Sequence, residues 1–134
     1  MKNFDTLKDL HVTLDKDRPG TLAKATSAIA KAGINLEGFC EVDGQFHTVT
    51  SDPMGAKRAL ESAGYKVRET DVVVFAAEDR PGFLAEILNS ITDHEINVGV
   101  AYTLTNTRIA ISADQVSKLK EVLQDFATTA TTRR

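Results

Sequence analysis

Two short runs, Asp17-Arg18-Pro19-Gly20 and Asp79-Arg80-Pro81-Gly82, carry the groups best suited to chemistry in this sequence. Each lies between an alternating apolar stretch and a helical pattern, and so reads as a loop feeding a helix. A helix start offers unsatisfied backbone N–H groups and the positive end of the helix dipole, a ready site for a carboxylate. The glycine after each proline lets a ligand approach the backbone closely. Asp17 or Asp79 can accept hydrogen bonds from an ammonium group. Asn35 and Asn97 carry both donor and acceptor. A free amino acid needs this pairing of opposite recognition groups. Each feature also fits a plainer role: Asp17 and Asp79 as helix caps, Arg18 and Arg80 as solvated or salt-bridged surface groups, Asn35 and Asn97 as turn residues.

Other reactive side chains give no catalytic constellation. His47 lies between Phe46 and Thr48 on a strand and reads as a cross-strand surface histidine. Asp93-His94-Glu95 looks metal-like, but three consecutive residues at a helix end diverge in direction. Cys40 reads as a small core residue, with nothing nearby in sequence to lower its pKa. Tyr102 reads either as a junction residue or as sheet packing. No Ser-His-Asp, Cys-His or metal-ligand set stands out, so no catalytic residue, metal or cofactor is expected.

These loops are placed by a repeat. Leu22-Ala23 returns as Leu84-Ala85, Ile29 as Ile91 and Ile34-Asn35 as Ile96-Asn97, all at an offset of 62 residues. Two homologous units follow, residues 1–70 and 71–134, packed rather than tethered because no Gly/Ser/Pro-rich linker separates them. In each unit an alternating strand (Leu10, Val12, Leu14; Val72 to Phe75) precedes the loop. A helix follows, with Leu22, Ala25, Thr26 and Ile29 on one face, and Leu84, Ile87, Leu88 and Ile91 in the second copy. Pro19 and Pro81 suit the first helical turn. Gly33 suits a left-handed helix stop; its counterpart is Glu95, so the second helix is expected to end differently. A hairpin follows, around Asp43-Gly44 and around Thr105-Asn106. A second helix buries Ala56, Ala59, Leu60 and Ala63, or Leu119, Val122, Leu123 and Phe126. That second pairing needs an offset of 63, placing a one-residue insertion near the helix start. Tyr65 and Val67 suggest a last strand; Ala127–Ala130 is its polar equivalent, expected to be short or replaced by another segment. Each unit is thus an α+β, ferredoxin-like β-α-β-β-α-β plait, with helices on one face of an antiparallel sheet.

Composition narrows the function classes. The chain has 134 residues, 42% hydrophobic and 26% charged, ordinary values for a globular protein. No run reaches the length of a membrane span and no hydrophobic signal follows Met1, so a cytoplasmic protein without a membrane partner is expected. A net charge of −3, six Phe, two Tyr and no Trp give little footing for nucleic acid. The strand Gln45–Thr50 lacks the basic, aromatic signature of an RNA-recognition plait.

The element order, with Asp-Arg-Pro-Gly before the first helix and Gly33-Ile34-Asn35-Leu36 opening the second strand, resembles the ACT domain, twice over. The resemblance implies a non-catalytic regulatory module binding a free amino acid at the junction of units, which pair into one eight-stranded sheet. The partners it implies are that ligand, an amino-acid enzyme or transporter, and a second copy in a homodimer. The family's loop positions carry over to Asp15, Asp17 and Asn35, and in the second unit to Ala77, Asp79 and Asn97. The ligand is expected to contact the loop through Asp17, Arg18, Pro19, Gly20, Thr21 and Leu22, and the strand start at Asn35 and Leu36. In the second unit Asp79, Gly82, Phe83 and Asn97 are expected to take part more weakly, because Phe83 stands for Thr21 and Ala77 for Asp15. The alternatives are an RNA-binding plait and a small enzyme on this scaffold.

Overall fold

The computed structural model describes residues 4–132, with side chains through residue 126, and falls into two compact units. The first holds Lys8–Thr70; the second holds the chain from Asp71 onward together with the N-terminal stretch through Leu7. The element order is β1 (Phe4–Thr13), α1 (Thr21–Lys31), β2 (Leu36–Val42), β3 (Gln45–Thr50), α2 (Pro53–Ser62), β4 (Arg68–Ala76), α3 (Phe83–Asp93), β5 (Val98–Leu104), β6 (Arg108–Ala113) and α4 (Val116–Thr132).

In the first unit β3 pairs antiparallel with both β1 and β2. Leu10, Val12 and Leu14 alternate onto one sheet face, where with Phe46 they meet Ala25 and Ile29 of α1 and Ala56 and Leu60 of α2. The second unit repeats the plan: β6 pairs with β4 and β5, and Val73, Phe75, Ile109 and Ile111 meet Ile87 and Ile91 of α3 and Leu119, Val122 and Leu123 of α4. Both units are α+β plaits with helices against one sheet face.

Among the described residues there are six strands, so the expected eight-stranded sheet is not formed. Where two separate strands were expected at residues 65–76, one strand, β4, continues from the first unit into the second. Tyr65 and Val67 precede it and pack against the first core instead. The stretch Ala127–Ala130 lies within α4, because nothing in its sequence alternates with the period of a strand. The N-terminal end of β1 joins the second unit, and Phe4 packs on that unit's core.

The two units are offset by 63 residues over most of their length. The Leu14 N–H donates to the Gly44 carbonyl and the Ala77 N–H to the Thr107 carbonyl. Ser51 and Asp114 likewise donate from the backbone to the carbonyls of Asn35 and Asn97. The extra residue therefore sits in the β5–β6 hairpin and not at the start of α4. Val42 pairs with Gln45 around a two-residue turn, whereas Leu104 pairs with Arg108 around three residues. The offset of 62 holds only between the first loop and this hairpin, because the second loop is one residue shorter. Ala77 thus matches Leu14 in position, not Asp15.

Helix ends differ from the sequence expectation too. Gly20 and Gly82 are the N-caps, both left-handed, so Pro19 and Pro81 precede the helices they were expected to open. Glu95 takes a positive φ of 56° where Gly33 has 75°, and the hydrogen bonds match: Ile34 N–H to Ile29, Ile96 N–H to Ile91. The second helix ends as the first does, on a residue that tolerates the left-handed region poorly. Leu84, expected in the core, is exposed, and Phe83 takes the buried place instead.

Candidate functional site

The first loop is held by its own acid. The Asp15 carboxylate accepts from the Asp17 N–H at 3.1 Å, and the Asp15 carbonyl accepts from the Thr21 hydroxyl at 3.2 Å. Lys16 bridges to Asp43 across the β2–β3 turn at 2.8 Å. Asp17, expected as a possible cap, makes no capping bond, since α1 has no side-chain cap. Its carboxylate projects without a partner among the described residues, next to a helix start with no acidic residue in its first turn. Arg18 reaches Asp15 only at 4.0 Å and is largely exposed. Leu22 packs at the rim of the first core.

The second loop is furnished differently. Arg80 binds Glu78 and Glu86, which hold its guanidinium above the ordinary arginine range, and it lies over the Phe83 ring at 5.4 Å. Phe83 itself is 7% exposed and packs edge-on against Phe126. Glu86 places a negative charge in the first turn of α3, which opposes a second anion there. Asp79 and Gly82 remain at the loop surface.

The asparagines open the second strands. The Asn35 N–H donates to the Ser51 hydroxyl at 3.1 Å, and the side-chain amide has no partner among the described residues. Asn97 uses its backbone N–H and its side-chain amide on the two oxygens of Asp114, at 3.2 and 3.4 Å. Asn97 is therefore tied into a helix-to-strand turn; Asn35 is not. Leu36 is half-buried and begins a bulge, since Leu36 pairs with Thr50 but Gly38 with Val49.

Within one unit the loop and the asparagine do not meet. The loop docks at the Asp43-Gly44 turn, where β2 ends, while Asn35 sits where β2 begins. A seven-residue strand spans about 20 Å. The second unit repeats this separation, with Asp79, Gly82 and Phe83 at the hairpin end and Asn97 at the other.

His47 is not the surface histidine the sequence suggested. Its side chain is 15% exposed, its Nδ1 lies 2.8 Å from Asp9, and its ring stacks on His11 at 4.1 Å. Asp9 is 1% exposed. The local signal is a polar strand face, with Asp9, His11 and Thr13 opposite Leu10 and Val12, and it does not by itself name His47 as the partner. Cys40 pairs across from His47, and burial, then Asp9 and Glu41, push its thiol above the ordinary range, the opposite of an activated nucleophile. His94 turns back to donate to the Ser90 carbonyl, and among the described residues no three His, Cys, Asp or Glu side chains converge as metal ligands would. No helix among them is long and apolar enough to cross a membrane.

A family model described as an ACT domain pair matches residues 5–127. No curated protein matches the sequence. Among solved structures, protein BT0572 from Bacteroides thetaiotaomicron is 28% identical, with a TM-score of 0.79 over 94% of this chain and 92% of that one. The regulatory subunit of aspartate kinase from Thermus flavus is 19% identical, with a TM-score of 0.62 over 93% of this chain and 97% of that one. E. coli aspartokinase III in complex with lysine and aspartate is 12% identical, with a TM-score of 0.62 over 94% of this chain but 32% of the enzyme.

Proposed function

Since the chain belongs to the ACT domain pair family, we propose that it is a non-catalytic regulatory module that binds a free amino acid. The observation that carries this reading is the unspent chemistry of the first unit. The start of α1 lacks a side-chain cap and a first-turn acid, Asp17 is unpartnered, and the Asn35 amide is free. The first suits a carboxylate; the others suit an ammonium and a mixed contact. Because loop and asparagine lie at opposite ends of β2, a ligand using both takes them from different units. That is the junction site the family resemblance implies, and a homodimer is one way to supply it. The structural likeness to aspartate kinase regulatory subunits supports a controlled enzyme or transporter of amino-acid chemistry as the partner.

The test is a thermal-shift screen of the proteinogenic amino acids, followed by calorimetry on the best binder. A ligand at 100 times its dissociation constant adds about 2.7 kcal/mol of stability. Asn35→Ala is expected to weaken binding by about 1–3 kcal/mol and Asn97→Ala by much less. Equal losses remove the claimed asymmetry; no binder in the screen removes the function. Light scattering that returns the monomer mass of 14.6 kDa at all concentrations, with and without ligand, removes the homodimer.

A further inference from the structure

A groove of about 680 Å³ opens in the first unit, and neither residues 15–22 of the loop nor Asn35 line it. Its walls are His11 and Thr13 of β1 on one side and the stretch from Gly64 to Arg68 on the other, with Glu61 at the end of α2. The volume suits a small metabolite. Its charges are peculiar for an acidic chain. Lys66 and Arg68 both line it, and neither has an ion-pair or hydrogen-bond partner among the described residues, whereas neighbouring Lys57 is paired with Glu69 at 3.3 Å. Lys24 adds a third positive charge, 5.5 Å above the ring of Tyr65, which lines the same groove. Glu61 shares the groove yet pairs with neither cation.

The floor is rigid and polar. Gln45 Oε1 accepts from Thr13 at 3.1 Å and lies 2.6 Å from His11 Nε2, and His11 is stacked on His47, which is anchored to buried Asp9. Tyr65 is anchored as well, its hydroxyl donating to the Thr21 carbonyl at 3.1 Å. Two unpaired cations beside a hydrogen-bonded floor form a clamp for an anionic group. From this we infer that the groove is a second binding site, for a small anion bearing a carboxylate or a phosphate. Glu61 lines the groove as well, and its negative charge repels the anion and weakens its binding. The inference stands apart from the amino-acid site, with which it shares no side chain.

The test is a titration of the full chain, labelled with nitrogen-15, with succinate and separately with inorganic phosphate, followed by NMR. Saturable shifts confined to the amides of Thr13 and Gly64 to Arg68 are expected with at least one, and the tighter of the two identifies the anionic group. The double variant Lys66→Gln with Arg68→Gln, whose spectrum reports its folding directly, should lose about tenfold or more in affinity. Glu61→Gln should tighten binding severalfold, and Asn35→Ala should leave it unchanged. No saturable shift with either anion, or undiminished binding in the folded double variant, overturns the site. So does weaker anion binding in Glu61→Gln.

Discussion

His11 pairs with His47 in the first unit, and at the matching register Val74 pairs with Ala110 in the second. Asp9 of the first is Val72 of the second by the same offset of 63. The sheet faces turned away from the helices are thus polar in one unit and apolar in the other, yet Asp9, Val72, Val74 and Ala110 are all at least nineteen-twentieths buried. The plait accepts either content on that face. What it requires is internal closure: the carboxylate must have its imidazole, while the valines need only contact. A buried pair of this kind is weak support for stability and costly to break by half.

The largest expected effect follows from that. His47→Ala should destabilise the protein by about 2–4 kcal/mol in urea unfolding, because the Asp9 carboxylate loses a donor while buried. Adding Asp9→Val, which copies the second unit, should recover more than about 1 kcal/mol of the loss. Additive losses would break the comparison, since the two side chains would then not be coupled.

Backbone turns give the next test, and here the second unit is the poorer. Asp43 and Gly44 form the first hairpin turn with φ of 51° and 87°; Asn106 and Thr107 carry 62° and 51° in the second. A β-branched residue is strained there. Thr107→Gly and Glu95→Gly should each raise stability by about 0.5–1 kcal/mol, and Gly33→Ala should lower it by about 1 kcal/mol. Gly44→Ala should cost more, because its Cβ would also stand 3.0 Å from the Leu14 carbonyl. Smaller still, Asn97→Ala should lower stability without ligand by about 0.5–1 kcal/mol, through its contact with Asp114, while Asn35→Ala changes it little. Last, the rate of Cys40 alkylation should rise with a midpoint at higher pH in the native protein than in the unfolded chain. The raised native pKa keeps the thiolate scarce until more alkaline pH. An unchanged midpoint would remove the influence of burial, and after it of Asp9 and Glu41, on that thiol.

What the sequence made legible was periodic. The repeat, the helix faces through Ile29 and Ile91 and the Asp43-Gly44 turn are local patterns with local causes. The cross-strand meetings were not legible, because Asp9 and His47 are 38 residues apart and only register joins them. Two compensating one-residue length changes, in the second loop and the second hairpin, hid behind the strong matches at an offset of 62 and misassigned Ala77. The separation of Asp17 from Asn35 was implied by the topology, since a crossover helix returns the chain to the far end of the sheet.

The passage of β4 through the boundary, with the N-terminal end of β1 lent to the second unit, bears on how such a molecule is inherited. Cutting between Thr70 and Asp71 keeps the first unit whole, Lys8–Thr70, but separates the second unit from its residues through Leu7. The first half could not be lost without stripping its neighbour of that stretch, whereas loss of the second half would leave the first unit entire. The arrangement therefore acts as a one-way ratchet: the copies can drift apart in loop length and face polarity, but the second is bound to the first through residues it does not carry itself.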